Sequence, residues 1–134
     1  MMKLLRWSYL FLLMFLWGCV SKSGSQTDLL FQDIMDVHDE VMPKMGKIRN
    51  LEKRCRSVAL TSPDSTELMR QAESLASANE AMMDWMRNFK NDFQGFDEEK
   101  REYLLDQKMQ VHQVKELMNS SILQSEELID RAID

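Results

Sequence analysis

Apolar residues recur at alternating steps of four and three along three consecutive stretches of this chain, a pattern that packed amphipathic helices satisfy. In the first stretch, about residues 28–60, Leu30, Ile34, Val37, Val41, Ile48, Leu51, Cys55 and Val58 form one edge, broken by Lys44. In the second, residues 63–93, the edge is Leu68, Ala72, Leu75, Asn79, Met82, Met86, Phe89 and Phe93. In the third, residues 97–133, Leu104, Gln107, Val111, Val114, Met118, Ile122 and Ile129 form a looser stripe. Each edge needs cover from another helix. Period-two alternation is absent and glycine and proline are scarce, so no β-structure competes.

The punctuation between the stripes agrees with this reading. Thr27 is a candidate cap for the first helix, and Ser62-Pro63-Asp64 offers a cap, a first-turn proline and an early acid for the second. Gly95 permits a reversal before Asp97-Glu98-Glu99 opens the third. Connections of a few residues make neighbours antiparallel. The expected fold is therefore all-α: an up-down-up antiparallel three-helix bundle with coiled-coil-like seams over residues 28–134. Charge favours the same register. The end of the first helix is basic (Lys44, Lys47, Arg49, Lys53, Arg54, Arg56) and would lie beside Asp64, Glu67 and Glu73 of the second and Glu116, Glu126 and Glu127 of the third. Each exposed pair is worth from a few tenths to about 1 kcal/mol.

The N-terminus carries an address. Lys3 and Arg6 precede an apolar run from Trp7 to Trp17, too short to span a bilayer comfortably, and Gly18 then stands directly before Cys19. Residues 1–18 read as a bacterial lipoprotein signal peptide, and Cys19 as the lipidated, palmitate-bearing N-terminus of the mature chain. Residues 19–27 read as the lipidated cysteine and a flexible Ser/Gly-rich tether. Several acyl chains anchor stably where one holds only marginally. No acidic run follows Cys19, which favours a periplasm-facing protein on the cell membrane or outer membrane. Cleavage removes two of the 17 basic residues against 22 acids, leaving a net charge near −7 that argues against a nucleic-acid partner. Cys55 then has no intrachain partner. Arg54 and Arg56 would favour its thiolate in a wet site, while a small residue on a packing seam is the plainer reading.

Methionine is the compositional anomaly. Of twelve, Met1, Met2 and Met14 fall in the signal, leaving nine in the remainder. His38, Met42 and Met45 sit at i, i+4 and i+7 on the first helix, and Met82, Met83 and Met86 cluster on the second. Folding at Ser62 and Gly95 brings these to one height, with Asn79, Gln107 and Met109 in the same layers and His112 just beyond. Pro43 falls inside this stretch and should kink the first helix. Thioether and imidazole together suit a soft ion, above all Cu(I). The same residues also suit a plain helical core, since methionine fills irregular gaps and single polar seam residues set register. Haem fits less well, because three helices leave little room and no Cys-x-x-Cys-His attachment motif is present. No nucleophile–base set, zincin spacing, calcium loop or phosphate-binding glycine loop can be assembled, so no enzyme is expected. The third helix is expected to outlast the second, leaving Leu128, Ile129 and Ile133 as a frayed end or a docking point for a partner or second subunit.

With His38-Asp39-Glu40-Val41-Met42-Pro43-Lys44-Met45-Gly46 and Ala81-Met82-Met83-Asp84-Trp85-Met86 in view, the chain resembles a family of short lipoproteins from Bacteroidetes often labelled viral A-type inclusion proteins. The resemblance covers most of the mature chain. It implies an envelope location and helical, coiled-coil-like character, and it implies no enzyme, ligand or functional residue. The expected role is thus that of a lipid-anchored envelope bundle with a non-enzymatic structural or protein-interaction function. The alternative is Cu(I) binding through His38, Met42, Met45, Met82, Met83 and Met86, with Met109 or His112.

Overall fold

The computed structural model describes residues 25–133, and these fold into helices: α1 (Gln26–Val41), α2 (Lys44–Val58), α3 (Ser65–Asn88) and α4 (Asp97–Ile133). The first two replace the single first helix expected from the sequence, so three helical segments pack against one another, with no strand among the described residues. The signal peptide, the Cys19 lipidation site and the tether as far as residue 24 lie outside the described residues.

Ser25 rather than Thr27 starts α1. Its hydroxyl accepts from the Asp28 N–H at 3.2 Å while the Asp28 carboxylate accepts from the Ser25 N–H at 3.2 Å. That reciprocal pair satisfies two otherwise orphaned donors and places an acid at the positive end of the helix dipole. The last residues assigned to the tether, Gln26 and Thr27, are therefore helical.

Pro43 interrupts the helix because it has no N–H to give and its ring crowds the preceding turn. The Met42 N–H still reaches the His38 carbonyl at 2.9 Å, and the Met45 N–H then bonds to the Met42 carbonyl at 3.2 Å. The break separates two packing regimes. α2 packs on both α3 and α4, whereas α1 packs on α4 and no α1 Cα comes within 8 Å of an α3 Cα.

The core follows the stripes with three corrections. On the first limb the buried positions run Val41, Met45, Ile48, so Met45 takes the step given to Lys44. Lys44 sits on the flank, where its Nζ donates to Asn119 Oδ1 at 2.8 Å and pairs with Glu40 at 3.4 Å. On α3 the stripe passes through Ala78 and Trp85, leaving Asn79 and Met86 half-buried beside it. A straight helix drifts against a seven-residue repeat in this way. On α4 the looseness is only apparent, because Ser121 and Ser125 fill the missing steps as fully or nearly fully buried residues. The Gln71 amide donates to the Ser121 carbonyl at 2.9 Å, and the Ser74 and Ser121 hydroxyls lie 3.1 Å apart.

Helix ends also differ. Ser62-Pro63-Asp64 forms a turn ahead of α3, with the Asp64 N–H donating to the Ser62 hydroxyl at 3.1 Å. At the far end α3 stops at Asn88, not residue 93, as Phe89 turns extended at φ −68° and ψ 125°. Aromatic packing accounts for this: Phe93 stacks on Tyr103 at 4.7 Å, and the Lys90 N–H donates to the Tyr103 hydroxyl at 2.6 Å. Gly95 is needed for close approach, since a Cβ there would lie 2.6 Å from the Phe93 ring.

Leu128 and Ile129 are 4% and 0% exposed, so the apolar C-terminal end expected to project is reduced to Ile133. Of the charge pairs expected between the first helix and its neighbours, Lys47–Glu126 forms at 2.8 Å. The other pairs linking that limb to α4 have the opposite sense: Asp33 with Lys108, and Glu40 with Lys115 at 2.6 Å.

Candidate functional site

The divergence of α1 from α3 leaves an open groove of about 360 Å3. α1 contributes Phe31, Met35 and His38, one face of the helix at i, i+4 and i+7. α3 contributes Trp85, Met86 and the capping Phe89, and Asn91 closes the end. Rings span the distance that the backbones do not. Phe31 and Phe89 centroids lie 6.1 Å apart, His38 and Trp85 6.0 Å, and Trp85 stacks on Phe89 at 5.0 Å. The series continues through Tyr103, 6.3 Å from Phe89, to Phe93. These spacings fall within the range where aromatic pairs add stability beyond their buried area.

His38 is the polar centre of the groove. Its side chain is 20% exposed, and its Nδ1 lies 2.8 Å from Asp39 Oδ1. A hydrogen bond from Nδ1–H to that carboxylate leaves Nε2 with a free lone pair. Trp85 is 5% exposed, and its indole N–H is buried without an acceptor. A buried donor left unpaired costs about 1–3 kcal/mol, so this tryptophan is held by the packing of its ring.

The residues picked out by the sequence divide into five settings. His38 and Met86 share the groove. Met45 and Met82 are in the core, 7% and 0% exposed. Met42 and Met83 are half-buried at the core's edge. Met109 is 61% exposed on α4 and joins no layer. His112 is half-buried near Asp33, whose carboxyl is held below its ordinary range chiefly by its bond to Lys108, with His112 adding to the effect. Met35 joins His38 and Met86 in the groove from outside that set, and its spacing of one turn before His38 is the sequence signal that places it on the same face.

Two further polar groups lie inside the bundle. Asn79 Oδ1 is buried without a donor, and the Gln107 side chain, on a residue 7% exposed, reaches only Asp106 at 3.4 Å. Cys55 is fully buried, and burial pushes its thiol upward against the opposing pull of Arg54 and Arg56. It packs as a small apolar residue, not as a thiolate. Among the described residues no group of three or more His, Cys, Asp and Glu side chains is arranged to hold a metal ion, and no helix is long and apolar enough to cross a membrane.

No family model matches the chain, and searches of curated proteins and of solved structures return no match.

Proposed function

We propose that the protein is a lipid-anchored, periplasm-facing component of a bacterial cell envelope with a non-enzymatic structural or protein-interaction role, built as an up-down-up antiparallel three-helix bundle. The address is supported by Lys3, Arg6, the short apolar run and Gly18-Cys19, which together match a lipoprotein signal. The topology is supported by the order of side-chain pairs. Phe31 with Phe89 and His38 with Trp85 run in opposite directions along α1 and α3. Asp33–Lys108, Glu40–Lys115 and Lys44–Asn119 rise together at a constant separation of 75 residues.

The observation that carries the interaction role is the α1/α3 groove. A second open depression of about 410 Å3 lies between α3 and α4, lined by residues that include Asp84, Gln110 and Gln113, but the α1/α3 groove gathers aromatic rings and thioethers, and apolar concavities of that kind mark binding surfaces. Two experiments test the reading. Metabolic labelling with an alkyne-tagged palmitate in a bacterial host should tag the chain and fail with Cys19→Ala; tagging that survives the substitution overturns the anchor. A photo-crosslinking amino acid at position 91 should give a discrete adduct in intact envelopes that is lost in Phe31→Ala. Absence of an adduct, or one indifferent to Phe31, overturns the groove as the contact surface.

A further inference from the structure

We propose that the groove is a binding site for a soft monovalent d10 cation, Cu(I), held by the imidazole of His38 and the thioethers of Met35 and Met86 beside the ring of Trp85. This goes beyond the interaction reading and is independent of the lipid anchor. It takes the choice of ion from the chemistry of thioether and imidazole donors, and it moves the site from the buried layer of methionines to the space between α1 and α3.

Three observations converge. The first is the donor set. Two thioethers and one imidazole line one open depression, contributed by helices whose backbones are not in contact. Neutral sulfur and nitrogen donors select soft ions over Mg2+ or Ca2+, which need oxygen ligands. Among the described residues that line the groove there is no carboxylate, and the neighbouring Asp39 is engaged with His38.

The second is the orientation of His38. Its Nδ1 is bound to Asp39 at 2.8 Å, which holds the ring and leaves the lone pair of Nε2 free for a ligand. A carboxylate–imidazole pair of this kind is a recurrent support for metal-ligating histidine. Met35 stands three residues before His38 on the same face of α1, and Met86 reaches the groove from α3. With three rotatable side-chain bonds, both methionines adjust their sulfurs to a small ion without moving backbone.

The third is Trp85. Its ring centroid lies 6.0 Å from that of His38, it lines the same groove, and its N–H has no partner that would explain its placement. An indole face within about 6 Å of a cation attracts it. The core residues Met45 and Met82, the exposed Met109, and His112 on the α4 side contribute no surface to this groove.

The test uses the full-length chain in detergent with Cys19→Ser and Cys55→Ala, so that no thiol competes, and with circular dichroism to confirm folding of every variant. Anaerobic titration with Cu(I) against a chromophoric chelator should give one ion per chain. Ag(I) added to protein labelled at the methionine methyl carbons should shift the Met35 and Met86 resonances first. His38→Asn should weaken binding by at least about a hundredfold, Met35→Leu and Met86→Leu by about tenfold each, and Asp39→Asn, a positioning residue, by about tenfold. Met109→Leu should bind as the parent does. No binding of either ion overturns both the groove site and the wider soft-metal reading. Binding lost with Met42→Leu or Met82→Leu but retained in the three groove variants overturns the groove and returns the ion to the buried layer.

Discussion

Where α2, α3 and α4 meet, small side chains let the helices close. Ala72, Ser121 and Ser125 are buried beside Leu75 and Ile48, and a polar tie from the Gln71 amide to the Ser121 carbonyl is buried among them. Where α1 faces α3, nothing small intervenes. Phe31, Trp85 and Phe89 span a gap too wide for the backbones, and a groove remains between them. Both halves are built from the same three-four repeat, so periodicity does not distinguish them. The difference comes from Pro43, which ends α1 and allows it to leave α3 while α2 stays. A tight half supplies stability, and a splayed half supplies surface.

Substitutions should separate the halves by size of effect. Leu75→Ala, at a fully buried site in the tight half, should cost about 2–5 kcal/mol in urea unfolding, whereas Met86→Ala at the groove wall should cost about 1 kcal/mol. Equal losses would mean that the halves are one cooperative core. Gln71→Ala should cost about 1 kcal/mol, because it removes a buried hydrogen bond to the Ser121 carbonyl, which keeps its helical partner within α4. Pro43→Ala should raise helical ellipticity and stabilise the chain by about 1 kcal/mol, by restoring a backbone donor, and should draw α1 toward α3. A variant with wild-type ellipticity would show that the pairs of Glu40 with Lys44 and Lys115, not proline, set the divergence. Gly95→Ala should cost about 1 kcal/mol, since its Cβ would press on the Phe93 ring.

The smallest effect is electrostatic. Glu40 is held below its ordinary value of 4.5 chiefly by its hydrogen bond to Lys115, and Asp33 below 3.8 chiefly by its hydrogen bond to Lys108. Lowered folded-state pKa values mean a contribution present above the unfolded values and lost as pH falls through the folded ones. Thermal melts between pH 5 and pH 2, bracketing about the range where both carboxylates titrate, should therefore show a shallower acid decline in Glu40→Gln and Asp33→Asn than in the parent.

Much of the helical content was legible because step patterns survive errors of a residue or two. Lys44 and Met45 show where such an error enters: both sit near the seam, and only the count from Val41 to Ile48 in steps of four and three chooses Met45. Asn79 and Met86 yielded to Ala78 and Trp85 because a straight helix drifts off a strict heptad. The early end of α3 was not legible, since it depends on Tyr103 packing against Phe89 and Phe93 from a distant helix. The groove was less legible still. Pro43 announced a break, but which helix α1 would desert depends on long-range pairs such as Asp33–Lys108. His38 and Met86 were picked out for their chemistry and placed at a common height, and they do share a surface, while Met109 shares none of it.

The carboxylate of Glu40, at the end of α1, is gripped by Lys44 on α2 and Lys115 on α4. A force drawn along the chain at Ser25 would thus be passed to α4 through the buried Ile34, Val37 and Val41 and the pairs at Asp33 and Glu40, while α1 meets α3 through tilted ring pairs. Under tension, α1 and α4 would take the strain together, and the ring contacts to α3 would part first, widening the groove with Pro43 as the pivot.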